Sequence, residues 1–339
     1  MSNAKGRKNF TACGVKEAEE LLEKVISEMK ETLSGSPLCV YLGGSYGRGD
    51  GGVRQDRENG ILYNDLDFFV FARKKSSGDT ALLNSIRHKY EELLKVDVDF
   101  SRIMTVRDIK NNSRRLMMQE LKRGYRLICG EDLIGSFLPE FPAESLPCSE
   151  ACRLLLNRGM GLLLAGEKIA NAPDETDFIL RNICKAVLGA GDAVLIAEKK
   201  YQWTLMERLE KINSSDLPEE FKKLYAVAVE FKKSPNRDIP QNLEELWLNV
   251  CSLFRRCTTI VCGEDCSMLY SSCEKSGEVS FVNYIKYCIK SRSIPVGSCR
   301  QYMLPAVAVL LPELYGALSS KPENISLNSR LYRQWLIFN

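Results

Sequence analysis

The sequence predicts an α+β protein, with a small N-terminal unit of strands and helices followed by a mostly α-helical remainder. Three observations carry this. Short apolar runs at 38–42, 65–71 and 96–100 alternate with helical patterns at 15–34 and 80–94. Beyond the proline-containing stretch 137–147 the helical periods lengthen and strand signals become few. The chain has 339 residues, enough for two domains of ordinary size. We place an N-terminal domain at 1–145 and a helical domain at 146–339.

Each element has a local reason. In 15–34 apolar residues recur at helical spacing with charges between them, until Ser34-Gly35-Ser36-Pro37 stops the helix. Leu38 to Leu42 is short, apolar and strand-like. Gly43-Gly44-Ser45 turns the chain, and Tyr46 to Arg48 opens a short helix. The mixed charges and glycines of 50–64 read as an exposed loop. From Asp65 to Phe71 the chain first alternates polar and apolar residues, then becomes apolar, as a strand does. A helix over 80–94, a strand over 96–100 and a helix over 105–127 follow, ended by Cys129-Gly130-Glu131-Asp132. Helices are expected at 149–170, 175–200, 203–212, 219–233, 242–258 and 280–292. There is no internal repeat and no low-complexity tract.

Composition excludes several classes. Apolar residues make up 45% and charged residues 27%, ordinary for a globular protein. The net charge is only +3, so binding to nucleic acid is not expected. The start is basic but leads into an acidic helical pattern, so no signal peptide is read. Asn157-Arg158, Pro305 and Pro312 break the longest apolar stretches, so no membrane span is expected. Thirteen cysteines without a secretory signal point to reduced thiols in the cytoplasm. The single histidine, His88, excludes histidine triads, relays and multi-histidine zinc sites. Chemistry here must run on carboxylates, a metal ion, lysine or tyrosine.

The most informative stretch is 40–67 together with 95–100. Gly43 and Gly44 lack a Cβ, so backbone N–H groups there can approach a phosphate closely. Ser45 can donate its hydroxyl to a phosphate oxygen, and Arg48, one turn on, can neutralise phosphate charge. Asp65 and Asp67 sit at i and i+2 on a strand, so both carboxylates project from one face. Such a pair is unfavourable unless a cation lies between them. Asp97 and Asp99 share a face of the next strand, and either can supply a third carboxylate to a magnesium site.

Gly-Gly-Ser, then Asp-Leu-Asp, then a later strand Asp resembles the nucleotidyltransferase superfamily of DNA polymerase β, in particular the bacterial aminoglycoside adenylyltransferases and minimal nucleotidyltransferases. The resemblance covers about residues 38–101. It implies a small mixed sheet with flanking helices. It implies that Gly43, Gly44 and Ser45, with Arg48, hold a nucleoside triphosphate, by precedent ATP. It implies that Asp65, Asp67 and one of Asp97 or Asp99 bind two Mg²⁺ ions. The activity implied is transfer of a nucleoside monophosphate to the hydroxyl of a small-molecule or protein acceptor, with release of pyrophosphate. Precedent also allows a homodimer. The loop 50–64 is longer than in the smallest members, and Asn64 stands where a serine often precedes the aspartate pair. A second reading on the same fold is a non-catalytic nucleotide sensor or toxin–antitoxin partner.

Relatives of kanamycin-modifying type carry a helical domain that helps to bind the acceptor. Two features here suit that part. Asn157-Arg158 interrupts two leucine triplets, and a polar pair inside so apolar a helix is expected to find partners. Arg181, Lys185 and Asp192 form one helical stripe, with Lys185 suited to a phosphate and Asp192 to an acceptor proton, or all three to a salt-bridge network. Cys251, Cys257, Cys262, Cys266 and Cys273 cluster in sequence. Their gaps do not repeat as paired zinc-binding units and no histidine joins them, so they read as buried, small apolar thiols.

Overall fold

The computed structural model describes residues 9–54, 61–73, 79–235, 242–264, 268–275, 277, 279–292, 302–303, 305–326 and 329–338. The chain divides into two compact units, Met1–Pro142 with Glu230–Asn236, and Ala143–Val229 with Arg237–Asn339.

The first unit is built on four strands, β1 (Leu38–Leu42), β2 (Leu66–Ala72), β3 (Val98–Phe100) and β4 (Arg126–Cys129), in the order β3-β2-β1-β4. β1 pairs antiparallel with both β2 and β4, while β2 and β3 are parallel, so the sheet is mixed. β1 is central and buried along its whole length. Side chains alternate between the two faces. Leu38, Val40 and Leu42, with Leu66, Phe68 and Val70, pack under α1 (Lys16–Thr32) and α3 (Asp79–Leu94). The opposite residues, Cys39, Tyr41 and Phe71, pack with Ile109, Met118, Leu121 and Leu133. These four come from α4 (Val106–Asn111), α5 (Leu116–Arg123) and α6 (Leu133–Phe137). The short helix α2 (Gly44–Arg48) follows β1 directly.

The long helix expected over 105–127 is instead two short helices and a strand. Thr105 and Asp108 form a reciprocal capping box that starts α4. Gly124 ends α5, and the next residues pair with β1 as β4. The helical spacing of 116–121 masked this strand, whose alternation of exposed Leu127 and buried Ile128 is only one step long.

The second unit is helical. It contains α7 (Cys148–Asn171), α8 (Thr176–Ala197), α9 (Leu205–Asn213), α10 (Glu219–Lys233) and α11 (Leu243–Cys262). It continues through α12 (Leu269–Lys275), α13 (Phe281–Ser291), α14 (Ala306–Ala317) and α15 (Arg330–Phe338). The last turn of α10 groups with the first unit. α12, α14 and α15 were not expected from the sequence, and α14 contains Pro312. Trp247 on α11 is fully buried, and its Nε1 donates to the Leu162 carbonyl at 2.7 Å, fixing α11 against α7. Gly166 makes this approach feasible, since a Cβ there would lie 2.5 Å from the Trp247 ring.

Gly166→Ala is therefore expected to overpack this contact and lower stability by about 1–3 kcal/mol in urea unfolding. Gly316→Ala in α14, where nothing lies within 4 Å of the added methyl, should be neutral or slightly stabilising.

Candidate functional site

The glycine turn and the aspartate strand interlock. The Gly43 N–H donates to the Asp67 carbonyl at 2.8 Å, tying the turn to β2. Gly44 has φ +58, a left-handed conformation that favours glycine. A Cβ there would lie only 2.0 Å from Asp67 Oδ2, so the Asp67 carboxylate lies directly against the turn. Ser45 is buried in the first turn of α2. The N–H groups of such a first turn have no acceptor inside their own helix.

Tyr46 was not among the residues singled out from the sequence, yet it organises the approach to β2. Its buried hydroxyl donates to the Gly52 carbonyl at 2.8 Å. It accepts from the N–H groups of Tyr63 at 3.1 Å and Asn64 at 3.2 Å. The Asn64 side chain in turn accepts from Gly52 N–H at 2.6 Å. One hydroxyl thus links α2 to both sides of the loop and sets the residue that precedes Asp65. Burial pushes its proton affinity well above the ordinary tyrosine range, so it remains a donor.

The parallel ladder places Asp67 opposite Asp99, with both side chains on one face of the sheet. Asp65 stands immediately before β2, two residues ahead of Asp67, and its charge reaches Asp99. Asp97 precedes β3, and its carbonyl accepts from Leu66 N–H at 2.9 Å. Desolvation raises the Asp99 pKa, and after it the largest contribution comes from the charge of Asp65. Arg87 on α3 pulls the other way, and Asp97 adds to the rise. Asp99 thus feels the charge of Asp65, and of Asp97 and Asp99 it is the ladder partner of Asp67. The Arg87 Nε is buried without a hydrogen-bond partner among the described residues, and the sequence reading did not include this residue.

Arg48 is engaged inside the unit. It lies 3.5 Å from Glu120 and 3.9 Å from Asp50, so a phosphate would compete with these carboxylates for it. The residues proposed for acceptor binding all lie in the second unit. Asn157 and Arg158 are exposed on α7, not sunk in its apolar side. Asn157 Oδ1 accepts from Trp335 Nε1 at 3.2 Å, and the Arg158 stem crosses Gly189 of α8. Lys185 is half-buried on α8. Asp192 accepts from the Tyr225 hydroxyl at 2.8 Å and forms an ion pair with Arg208, whose Nε lies 3.1 Å away. Arg208 is itself buried and donates to the Tyr201 hydroxyl at 2.9 Å, so Asp192 belongs to a packed polar network within the unit. His88 is exposed on α3, 3.8 Å from Glu91. Cys251, Cys257, Cys262 and Cys273 are buried, and Cys266 lies outside the described residues.

Among the described residues, no group of three or more His, Cys, Asp or Glu side chains is placed so that it could hold a metal ion. Mg²⁺ does not require one. It takes one or two protein carboxylates and completes its shell with water and substrate phosphates. Asp67, with Asp99 beside it on the ladder and Asp65 two residues ahead, offers hard oxygen donors of that kind. No helix among the described residues is long and apolar enough to cross a membrane. Comparison with family models, curated proteins and solved structures finds no match to this chain.

Two outcomes follow from this geometry. Tyr46→Phe removes the acceptor of two backbone N–H groups and should lower stability by about 1–3 kcal/mol in urea unfolding. Asp99 holds its proton more tightly in the folded state, so folding is favoured below its titration window and weakened as pH rises through it. Asp99→Asn should therefore match or exceed the wild type at neutral pH, by roughly 0.2–1 kcal/mol. That advantage should vanish in melts at a pH below the ordinary aspartate value of about 3.9.

Proposed function

We propose that this chain is a nucleotidyltransferase that moves a nucleoside monophosphate from a nucleoside triphosphate, by precedent ATP, to an acceptor hydroxyl, with release of pyrophosphate. The supporting observation is the juxtaposition at one corner of the sheet. Asp67 lies against the Gly44 turn on one side and is the ladder partner of Asp99 on the other.

The residues would divide the work as follows. The Gly43–Gly44–Ser45 turn receives the phosphate tail through its backbone N–H groups and the Ser45 hydroxyl. With no Cβ at position 44, the tail can come close to Asp67. Asp65 and Asp67, with Asp99 in preference to Asp97, hold the magnesium that enters with the triphosphate. When bound, that ion supplies Lewis-acid polarisation of the phosphoryl oxygens and neutralises developing charge. Burial, and after it the charge of Asp65, raise the proton affinity of Asp99, which suits it to take the acceptor's proton. Tyr46 keeps the turn and the aspartate strand in register, so that the reacting groups meet without further reorganisation.

The deciding experiment is thermal melting with each of the four nucleoside triphosphates, with and without Mg²⁺, alongside a pyrophosphate-release assay. A Mg²⁺-dependent rise is expected for the true donor, corresponding to about 2.7 kcal/mol at a hundredfold excess over Kd. Asp67→Asn should abolish both the rise and pyrophosphate release. If no triphosphate shifts the wild-type transition, the reading is wrong.

A further inference from the structure

We propose that α13 and α15 form a docking face for an anionic lipid surface, with apolar side chains entering between the headgroups and basic side chains on the phosphates around them. This inference is independent of the nucleotidyl-transfer reading.

A surface helix of a globular protein ordinarily turns its apolar stripe to the core. α13 does the reverse. The residue it buries is Tyr287, whose ring lies 4.7 Å from that of Tyr302. Half-buried Asn283 and Ser291 stand one turn to either side of Tyr287. Asn283 Nδ2 donates to the Met303 carbonyl at 2.9 Å, and Ser291 Oγ donates to the Tyr287 carbonyl at 2.7 Å. The inner side of α13 is thus partly polar. Phe281, Val282, Ile285 and Ile289 fall within about 100° of the helix circumference at 3.6 residues per turn. All four are exposed, Phe281 at 56% and Ile289 at 70%. α15 repeats the pattern, burying Leu331 and exposing Leu336 and Ile337. The two helices pack on each other, and Lys290 Nζ donates to the Ile337 carbonyl at 3.2 Å. That bond joins the last turn of α13, which carries Ile289, to the last turn of α15.

Charge selects the occupant. The stretches 279–292 and 329–338 contain five basic residues, Lys286, Lys290, Arg292, Arg330 and Arg333, and no Asp or Glu, in a chain whose net charge is only +3. All five are exposed. Glu313 on α14 lies 3.8 Å from Arg330 and offsets part of that charge. Lys286 stands one turn from both Val282 and Ile289, and Arg333 one turn before Leu336 and Ile337, so the cations border the apolar residues. Two copies meeting through this face would set like charges against each other. A protein groove would have to bury the lysines with the apolar row, and lysine is depleted from the buried centre of protein interfaces. A lipid surface makes no such demand. The Lys and Arg stems lie along apolar groups while their heads reach the phosphates. The apolar row enters the boundary between headgroups and acyl chains. Tyr284, stacked on Phe281 at 5.5 Å, suits the level of the headgroups. Contact of this kind lies in the plane of the surface and needs no spanning helix.

The test is flotation of the full chain with two kinds of vesicle, phosphatidylcholine alone and phosphatidylcholine with about 30% phosphatidylserine. The chain should float with the anionic vesicles and not with the neutral ones, and less as salt rises. Ile285→Ser with Ile289→Ser, and separately Lys286→Glu with Arg333→Glu, should each lower partitioning about tenfold or more. Both pairs are exposed, so thermal melts should stay at the wild-type value. Val227→Ser, at an exposed apolar residue of α10, should keep binding. The proposal is overturned if the wild type does not float with anionic vesicles, or if either double variant floats equally well. A wild-type dimer in sedimentation that the Ile285/Ile289 variant does not form would overturn it in favour of a second copy. Capture of soluble polyglutamate by a chain that does not float would overturn it in favour of an acidic protein.

Discussion

The parallel pairing of β2 with β3 is the constraint on which the candidate site depends. Backbone hydrogen bonds, including Leu66 N–H to the Asp97 carbonyl and Ser101 N–H to the Phe68 carbonyl, hold the two strands in one register. That register sets Asp99 beside Asp67 whatever their charges prefer. Like charges directly across a ladder are unfavourable, and burial together with the charge of Asp65 raises the proton affinity of Asp99 there. The ladder prevails because Leu66, Phe68 and Val98, on the opposite face, are buried in the core under α1 and α3. A slip of one residue would expose those apolar groups and bury the aspartates. The same pattern that builds the core therefore concentrates negative charge at one corner of the sheet, where a cation would relieve it.

Much of the first unit was legible because its signals are local. The apolar run 38–42 and the strand after Asp65 appear within one residue of where the sequence placed them. The alternation that set Asp65 and Asp67 on one face is a property of two positions. β4 was not legible, since it gains its identity from pairing with β1, nearly ninety residues earlier. Tyr46 escaped for a related reason. Nothing in a tyrosine beside a glycine turn shows that its hydroxyl will collect Gly52, Tyr63 and Asn64. The choice between Asp97 and Asp99 was likewise beyond periodicity, which gives both the same face. Cross-strand register pairs Asp99 with Asp67, while Asp97 precedes the strand.

In the helical unit, spacing alone found the long helices but did not show which partners their polar residues meet. Asn157 and Arg158 lie on an exposed side of α7, so solvent and Trp335 satisfy them. Asp192 faces Arg208 and Tyr225, both of which belong to other helices. A stripe on one helix cannot reveal such partners. The cysteines show the same limit. Their spacing within 251–273 is uninformative, and the thiol that meets Cys262, that of Cys152, stands 110 residues earlier in the chain.

The seven residues Glu230–Asn236 belong with the first unit although most of it ends at Pro142. The unit is therefore discontinuous along the chain, and its parts are separated by most of α7 through α10. During synthesis the sheet and its flanking helices emerge early, but the last piece of their unit leaves the ribosome only after the first helices of the second unit. A chain folding from its N-terminus cannot complete the sheet-containing unit and only then add the helical one. The two must mature in overlap, and an early stop anywhere before residue 236 leaves the first unit unfinished.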